Sequence, residues 1–174
     1  MNHSVGVEIA IKMKVVAVDL QGFNINDEFV AKELAITSGR QIAHFIFKLP
    51  WNYKTLSIND KKGINFLEKH HHGLRYSDGY VDYSELPKII RELLNGIDVV
   101  YVKGQQKSDF LCKIFNEAQM NGQPQIFNLE FNWYVPKFEF KKPLCMYHRG
   151  GELRKCSVTN CKDLFDWVIV NMPQ

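Results

Sequence analysis

The chain lacks any apolar run approaching the roughly 20 residues that span a bilayer, which excludes a membrane-crossing helix. Its first stretch, MNHSVGVEIAIKMKVVAVDLQ, is apolar but cut by Glu8, Lys12 and Lys14. That stretch has no small-residue cleavage site, so no export signal is read. Internal repeats, low-complexity tracts and Pro- or Gly-rich linkers are missing too, and one domain over residues 1–174 is the expectation. A large charge excess is also absent. The 22 Lys and Arg outnumber the 19 Asp and Glu by only three, which permits a nucleic-acid partner without requiring one. Cysteine is scarce, at four residues. Without an export signal these thiols meet a reducing cytosol or nucleus, where disulfides do not persist, so clustered Cys and His point to a metal. What is present is a globular balance, 45% hydrophobic and 24% charged, which excludes a mainly disordered chain.

Val- and Ile-rich EIAIKMKVVAVDLQGF reads as strand ending near Gly22. DEFVAKELAIT suits a central strand but tolerates a helical turn. SGRQIAHFIFKLP is a strand that Pro50 ends. SINDKKGINFLEKHH is a short helix. SELPKIIRELLNG is a stronger one, with Ser84 as cap, an apolar face of Leu86, Ile89, Ile90, Leu93 and Leu94, and Gly96 as stop. IDVVYVKG follows as a buried strand. QKSDFLCKIFNEAQM is a helix with Phe110, Leu111, Ile114 and Phe115 inward, and Cys112 is read as core. QIFNLEFNW is a strand and CSVTNCKDLFDWVIVNM a final helix. Early strands with hairpin-length links, followed by alternating helix and strand, predict an α/β fold. It is a mixed β-sheet flanked by helices, the order expected of an RNase H-like domain.

Nucleases of that fold hold two Mg²⁺ ions with carboxylates, because each ion takes octahedral oxygen coordination. The branch with four acids begins with Asp-x-Glu on the first strand. Here VAVDLQGF puts Asp19 in that setting with Gln21 in the second acid's place. Asp109, after a buried strand, resembles the next station, although a carboxylate also suits an ordinary helix start. The last station, a His or Tyr followed by Asp, has no match after His148; Glu152 has the offset but a longer side chain. Asp19 and Asp109 are the catalytic candidates, and they are fewer than the two-metal reaction needs.

The segment CMYHRGGELRKCSVTNC, residues 145–161, holds three of the four cysteines. Cys145 and His148 have the two-residue gap that places two ligands on one turn, the polar RGGELRK loop can curl back, and Cys156 opens the last helix, where a thiolate is favoured. The reading is zinc, with reduced buried cysteines as the plainer alternative. The fourth ligand is open. Cys161 is nearest, but five helical positions carry it about 140° around the axis from Cys156. A carboxylate from elsewhere can serve instead.

This cluster resembles the end of the Maelstrom domain, an RNase H-like domain of germline small-RNA (piRNA) pathways related to the 3′–5′ exonucleases. That family joins Cys-x2-His and a later Cys with a Glu from an early strand. FVAKELAI is similar to the stretch carrying that Glu, and the resemblance implies Glu33, Cys145, His148 and Cys156 as the ligand set. HHHGLRY stands where the family has a His-rich turn. The segment GLRYSDGYVDYSELP has no match there and is similar to uncharacterised arthropod proteins linked to viruses or transposons. A zinc with four protein ligands has no open position and is structural.

Lys137, Lys141, Lys142, Arg149, Arg154 and Lys155 crowd the stretch around the cluster, with Phe138, Phe140 and Tyr147 between them. Cations for phosphates and rings for bases suit single-stranded nucleic acid. Phe138 and Phe140 packed inward from a KFEFK strand is the favoured reading of the rings. Trp51, Tyr53, Tyr76, Tyr80 and Tyr83 form a second aromatic region. The expected function is a zinc-braced RNase H-like module without two-metal chemistry, binding single-stranded RNA or a protein partner in a small-RNA, transposon or virus-related pathway. The alternatives are a Mg²⁺-dependent 3′–5′ exonuclease and a ribonuclease with an unconventional site.

Overall fold

The computed structural model describes residues 13–131, 135, 137–149 and 153–172. Glu152 and the first part of the strand expected from residue 8 lie outside them. Three long strands come first, β1 (Val15–Ile25), β2 (Glu28–Thr37) and β3 (Ile42–Lys48). Helix α1 (Ile58–His70), the short β4 (Val81–Asp82) and α2 (Leu86–Leu94) follow. Then come β5 (Val99–Val102), α3 (Gln105–Glu117), β6 (Gln125–Asn128) and α4 (Ser157–Asn171). The six strands form one mixed sheet in the order β4-β3-β2-β1-β5-β6. β1, β2 and β3 pair antiparallel, whereas β5 runs parallel to β1 and β6 parallel to β5. This is the α/β, RNase H-like architecture that the order of elements implied.

β1 and β2 are buried along almost their whole length. A strand covered on both faces loses the polar-apolar alternation that marks a half-exposed one, which is why DEFVAKELAIT was ambiguous. Side chains still alternate between faces. Val16, Val18, Leu20, Leu34 and Ile36 pack against Leu86, Ile90 and Leu94 of α2 and Phe110, Leu111, Ile114 and Phe115 of α3. Ala17 and Ala35 pack on the opposite face against Leu164, Phe165 and Val168 of α4. By the same parity Asp19, Gln21 and Glu33 fall on the α4 face. The β1–β2 register shifts between Gln21 and Gly22. A Cβ at Gly22 would lie 2.1 Å from the Val30 carbonyl oxygen, so only glycine lets the strands close there.

Several local expectations change. Ser84 does not cap α2; it lies in a single 3₁₀ turn, Tyr83–Glu85, and α2 begins beyond it with Pro87 in its first turn. Cys112 is exposed. The inward face of α3 runs through residues 110, 111, 114 and 115, and position 112 is about 100° past 111. Residues 137–140 form no strand; Lys141 makes only an isolated bridge with Arg154.

Candidate metal centre and the adjoining cleft

Glu33 on β2 is fully buried under the start of α4. Its Oε2 accepts the Ser157 backbone N–H at 2.9 Å, an anion taking an otherwise unpaired donor at a helix N-terminus. Its Oε1 faces three potential ligands, the His148 Nε2 at 3.1 Å, the Cys145 Sγ at 3.5 Å and the Cys156 Sγ at 4.0 Å. The two sulfurs stand 3.9 Å apart. All four ligand atoms lie within 4.8 Å of one another, the one such convergence of His, Cys, Asp or Glu among the described residues. A tetrahedral ion with bonds of about 2.0–2.3 Å holds its ligands about 3.3–3.8 Å apart; the four donors here, all within 4.8 Å of one another, are near that spacing and are of the types that hold a metal ion. Cys156 is the residue before the first turn of α4, as expected. Cys161 stands outside the group. Its thiol donates to the Ala17 carbonyl at 3.0 Å.

The surroundings orient the ligands. The His148 Nδ1–H donates to the His72 carbonyl, which leaves Nε2 as the ligating nitrogen. His44 Nε2 reaches the Glu33 Oε1 at 2.9 Å from β3. His72 is fully buried, its Nδ1 accepting the Leu74 N–H and its Nε2 donating to the Gly22 carbonyl. His70 is exposed, so the His-rich turn supports the site through its backbone. Its carbonyls at His71 and Gly73 accept the Lys155 and Arg149 N–H groups at 3.3 and 3.0 Å. Gly73 has φ +70°, and a Cβ there would lie 2.4 Å from the Arg149 carbonyl oxygen, so this close approach requires glycine. Burial opposes charge on Glu33, but hydrogen bonds from His148 and His44 hold its carboxyl well below the usual range. Contact with Cys145 pulls the Cys156 thiol down to about 4, while the same contact pushes the Cys145 thiol up. Burial opposes charge on His148 too, yet Cys156 and Glu33 raise it to about 10.

Asp19 is also fully buried, on β1 beside this centre. Its Oδ1 is 2.5 Å from the Lys107 ammonium of α3. Its Oδ2 accepts from the Asn160 amide of α4 at 3.0 Å and from Gln21 at 3.2 Å. Burial pushes the Asp19 carboxyl up, against the pull of Lys107 and Asn160. Asp109 is not part of this group; it is exposed on α3, and its Oδ1 accepts the Gln105 amide at 2.7 Å. Sequence reasoning sought the last acid after His148. The residue that reaches Asp19 from α4 is Asn160, four positions beyond Cys156, and Lys107 carried no signal in the sequence.

The basic stretch divides. Lys137, Lys141, Lys142 and Arg149 are exposed, Lys141 pairing with Asp163 at 2.5 Å and Arg149 approaching Asp78 at 3.5 Å. Arg154 is buried, and its Nε donates to the Arg149 carbonyl at 2.9 Å. The Lys155 ammonium lies 4.8 Å from the centroid of the Phe140 ring, and those of Lys103 and Lys107 lie 5.0 and 5.7 Å from that of Phe138. Phe140 is exposed rather than packed inward; Phe138 is half-buried. In the second aromatic region Tyr76 and Tyr80 donate to the Trp51 and His44 carbonyls, tying that surface to β3. Among the described residues no helix is long and apolar enough to cross a membrane.

No protein-family model matches the chain, and no curated protein matches it. Among solved structures it is similar to a manganese-depleted exonuclease domain of Mopeia virus, with a TM-score of 0.52 and 17% identity over 92% of this chain and 78% of that one. At that identity the likeness is one of fold.

Proposed function

We propose that this chain is a zinc-stabilised RNase H-like module that binds single-stranded RNA and does not run the two-metal hydrolysis associated with its fold. The observation that carries the reading is the state of Asp19. Its carboxylate is held by a lysine and two amides, where a hydrolytic centre needs further carboxylates and room for divalent ions. Glu33, Cys145, His148 and Cys156 take a structural zinc that leaves no position for substrate, and the ion fastens α4 to the sheet. In small zinc-dependent peptides such an ion is worth about 10–16 kcal/mol; here it adds to an existing core. Lys137, Lys142 and Lys155, with Phe138 and Phe140, form the RNA-facing surface. The similarity of the ligand set to the Maelstrom domain favours work inside the cell, in a small-RNA, transposon or virus-related pathway, with residues 1–174 acting as one domain.

Elemental analysis tests the centre. One zinc per chain is expected, lost in Cys145→Ser and Glu33→Ala and kept in Cys161→Ser. Incubation of a labelled single-stranded RNA with Mg²⁺ or Mn²⁺ tests the rest. Binding without shortening is expected; degradation abolished by Asp19→Ala selects the exonuclease instead. Cleavage that survives Asp19→Ala selects an unconventional ribonuclease.

A further inference from the structure

Beside Asp19 lies a cleft of about 320 Å³, at the lower end of the roughly 300–1,000 Å³ of pockets that hold small molecules. It is bordered by β1, the first turn of α3 and the approach to α4. Two ammoniums, of Lys107 and Lys155, reach its wall, and no carboxylate does among the described residues. Gln21, Asn160 and His71 add uncharged polar groups, and Phe138 lines one side. Asp19 sits beneath this wall with both oxygens engaged. Lys103 stands close by. Burial first, then repulsion from neighbouring lysines, holds Lys103 and Lys155 below the ordinary lysine value, while Asp19 and Glu139 offset this at Lys155 and Glu130 at Lys103.

A concave wall with ammoniums and no carboxylate is the opposite of a divalent-metal site, which needs several oxygen ligands. It complements a ligand that brings its own oxygens and negative charge. A phosphomonoester carries about −1.5 to −2 near neutral pH, whereas each internal phosphate of a strand carries one charge. The Lys155 ammonium and the Lys107 ammonium, the latter shared with Asp19, give one wall donors for such a terminal group. A cleft of this size takes a terminal unit rather than a run of nucleotides, and the half-buried Phe138 on its wall supplies an aromatic contact for the adjoining base.

We propose that the cleft is a metal-independent site for the phosphomonoester end of a single-stranded RNA, with Lys107 and Lys155 holding the phosphate and Phe138 stacking on the neighbouring base. This rests on the RNA-binding reading above and adds which part of the strand is recognised.

The test is fluorescence anisotropy with one RNA sequence in four forms: 5′-phosphorylated, 3′-phosphorylated, hydroxyl at both ends, and circular. Each is titrated with and without added Mg²⁺. One phosphorylated form is expected to bind at least about tenfold tighter than the hydroxyl-ended and circular forms, the scale of a hydrogen-bonded charged contact; which form wins identifies the end. Mg²⁺ should not be needed. Lys155→Glu should erase the preference, and Lys155→Arg should keep it. Phe138→Ala, distant in sequence from the metal ligands Cys145 and Cys156, should weaken the preferred form about tenfold if Lys155→Glu fails to fold. Equal binding of all four forms overturns end recognition and leaves RNA binding intact. A requirement for Mg²⁺ overturns metal independence. Failure of every form to bind at low salt overturns both readings.

Discussion

Glu33 and Asp19 are two fully buried carboxylates on neighbouring strands and the same face of one sheet, yet they meet their need for positive charge differently. Asp19 receives a cation from the chain itself, the Lys107 ammonium at 2.5 Å, and two amides complete its hydrogen bonds. Glu33 is ringed by His148, Cys145 and Cys156, groups that bind a metal only after giving up their protons. A buried carboxylate without a partner is costly. The comparison teaches that two buried carboxylates on one face of a sheet can be satisfied in different ways, one by a lysine of the chain and one among side chains able to hold a metal ion.

Four substitutions probe that contrast. Cys156→Ser should have the largest effect, emptying the metal centre and lowering the unfolding free energy by about 4 kcal/mol or more. Metal analysis and urea titration read it; a variant that keeps its metal would remove Cys156 from the ligand set. Lys107→Ala should come next, destabilising by about 3–5 kcal/mol because Asp19 stays buried without its cation. Its metal content should stay at the wild-type level, and Lys107→Met combined with Asp19→Leu should recover much of the loss. A small effect of Lys107→Ala would show that Asp19 does not depend on the ammonium. Cys161→Ser should retain the metal and cost about 1 kcal/mol, since the hydroxyl can still donate to Ala17. Asp109→Ala should be the mildest, within about 0.5 kcal/mol, because Asp109 is exposed and, among the described residues, is bonded to Gln105 in its own helix. A large loss there would return Asp109 to the acidic site.

Legibility in the sequence followed distance along the chain. Cys145, His148 and Cys156 were visible because ligands on one turn and at a helix start have local spacing. The apolar face of α3 was visible for the same reason, through its 3.6-residue period. Glu33 entered only through a family resemblance, since it lies 112 residues from Cys145. Lys107 gave no sign at all; it looks like any helix-start lysine until the fold brings it across 88 residues to Asp19. Phe140 was misplaced because KFEFK alternates like a strand although, among the described residues, no partner strand pairs with it. Cys112 was misplaced because a moderately apolar residue between Leu111 and Ile114 seemed part of their face.

By itself the sequence determined the order of strands and helices, the apolar faces of α2 and α3, and the Cys and His residues gathered before the last helix. These follow from side-chain period, turn residues and short spacings, which act over a few residues. Only the tertiary structure decided which carboxylate meets the thiols and which meets the ammonium. Those pairings depend on strand register and on the helix lying over each face, and both are set by the packing of the whole sheet.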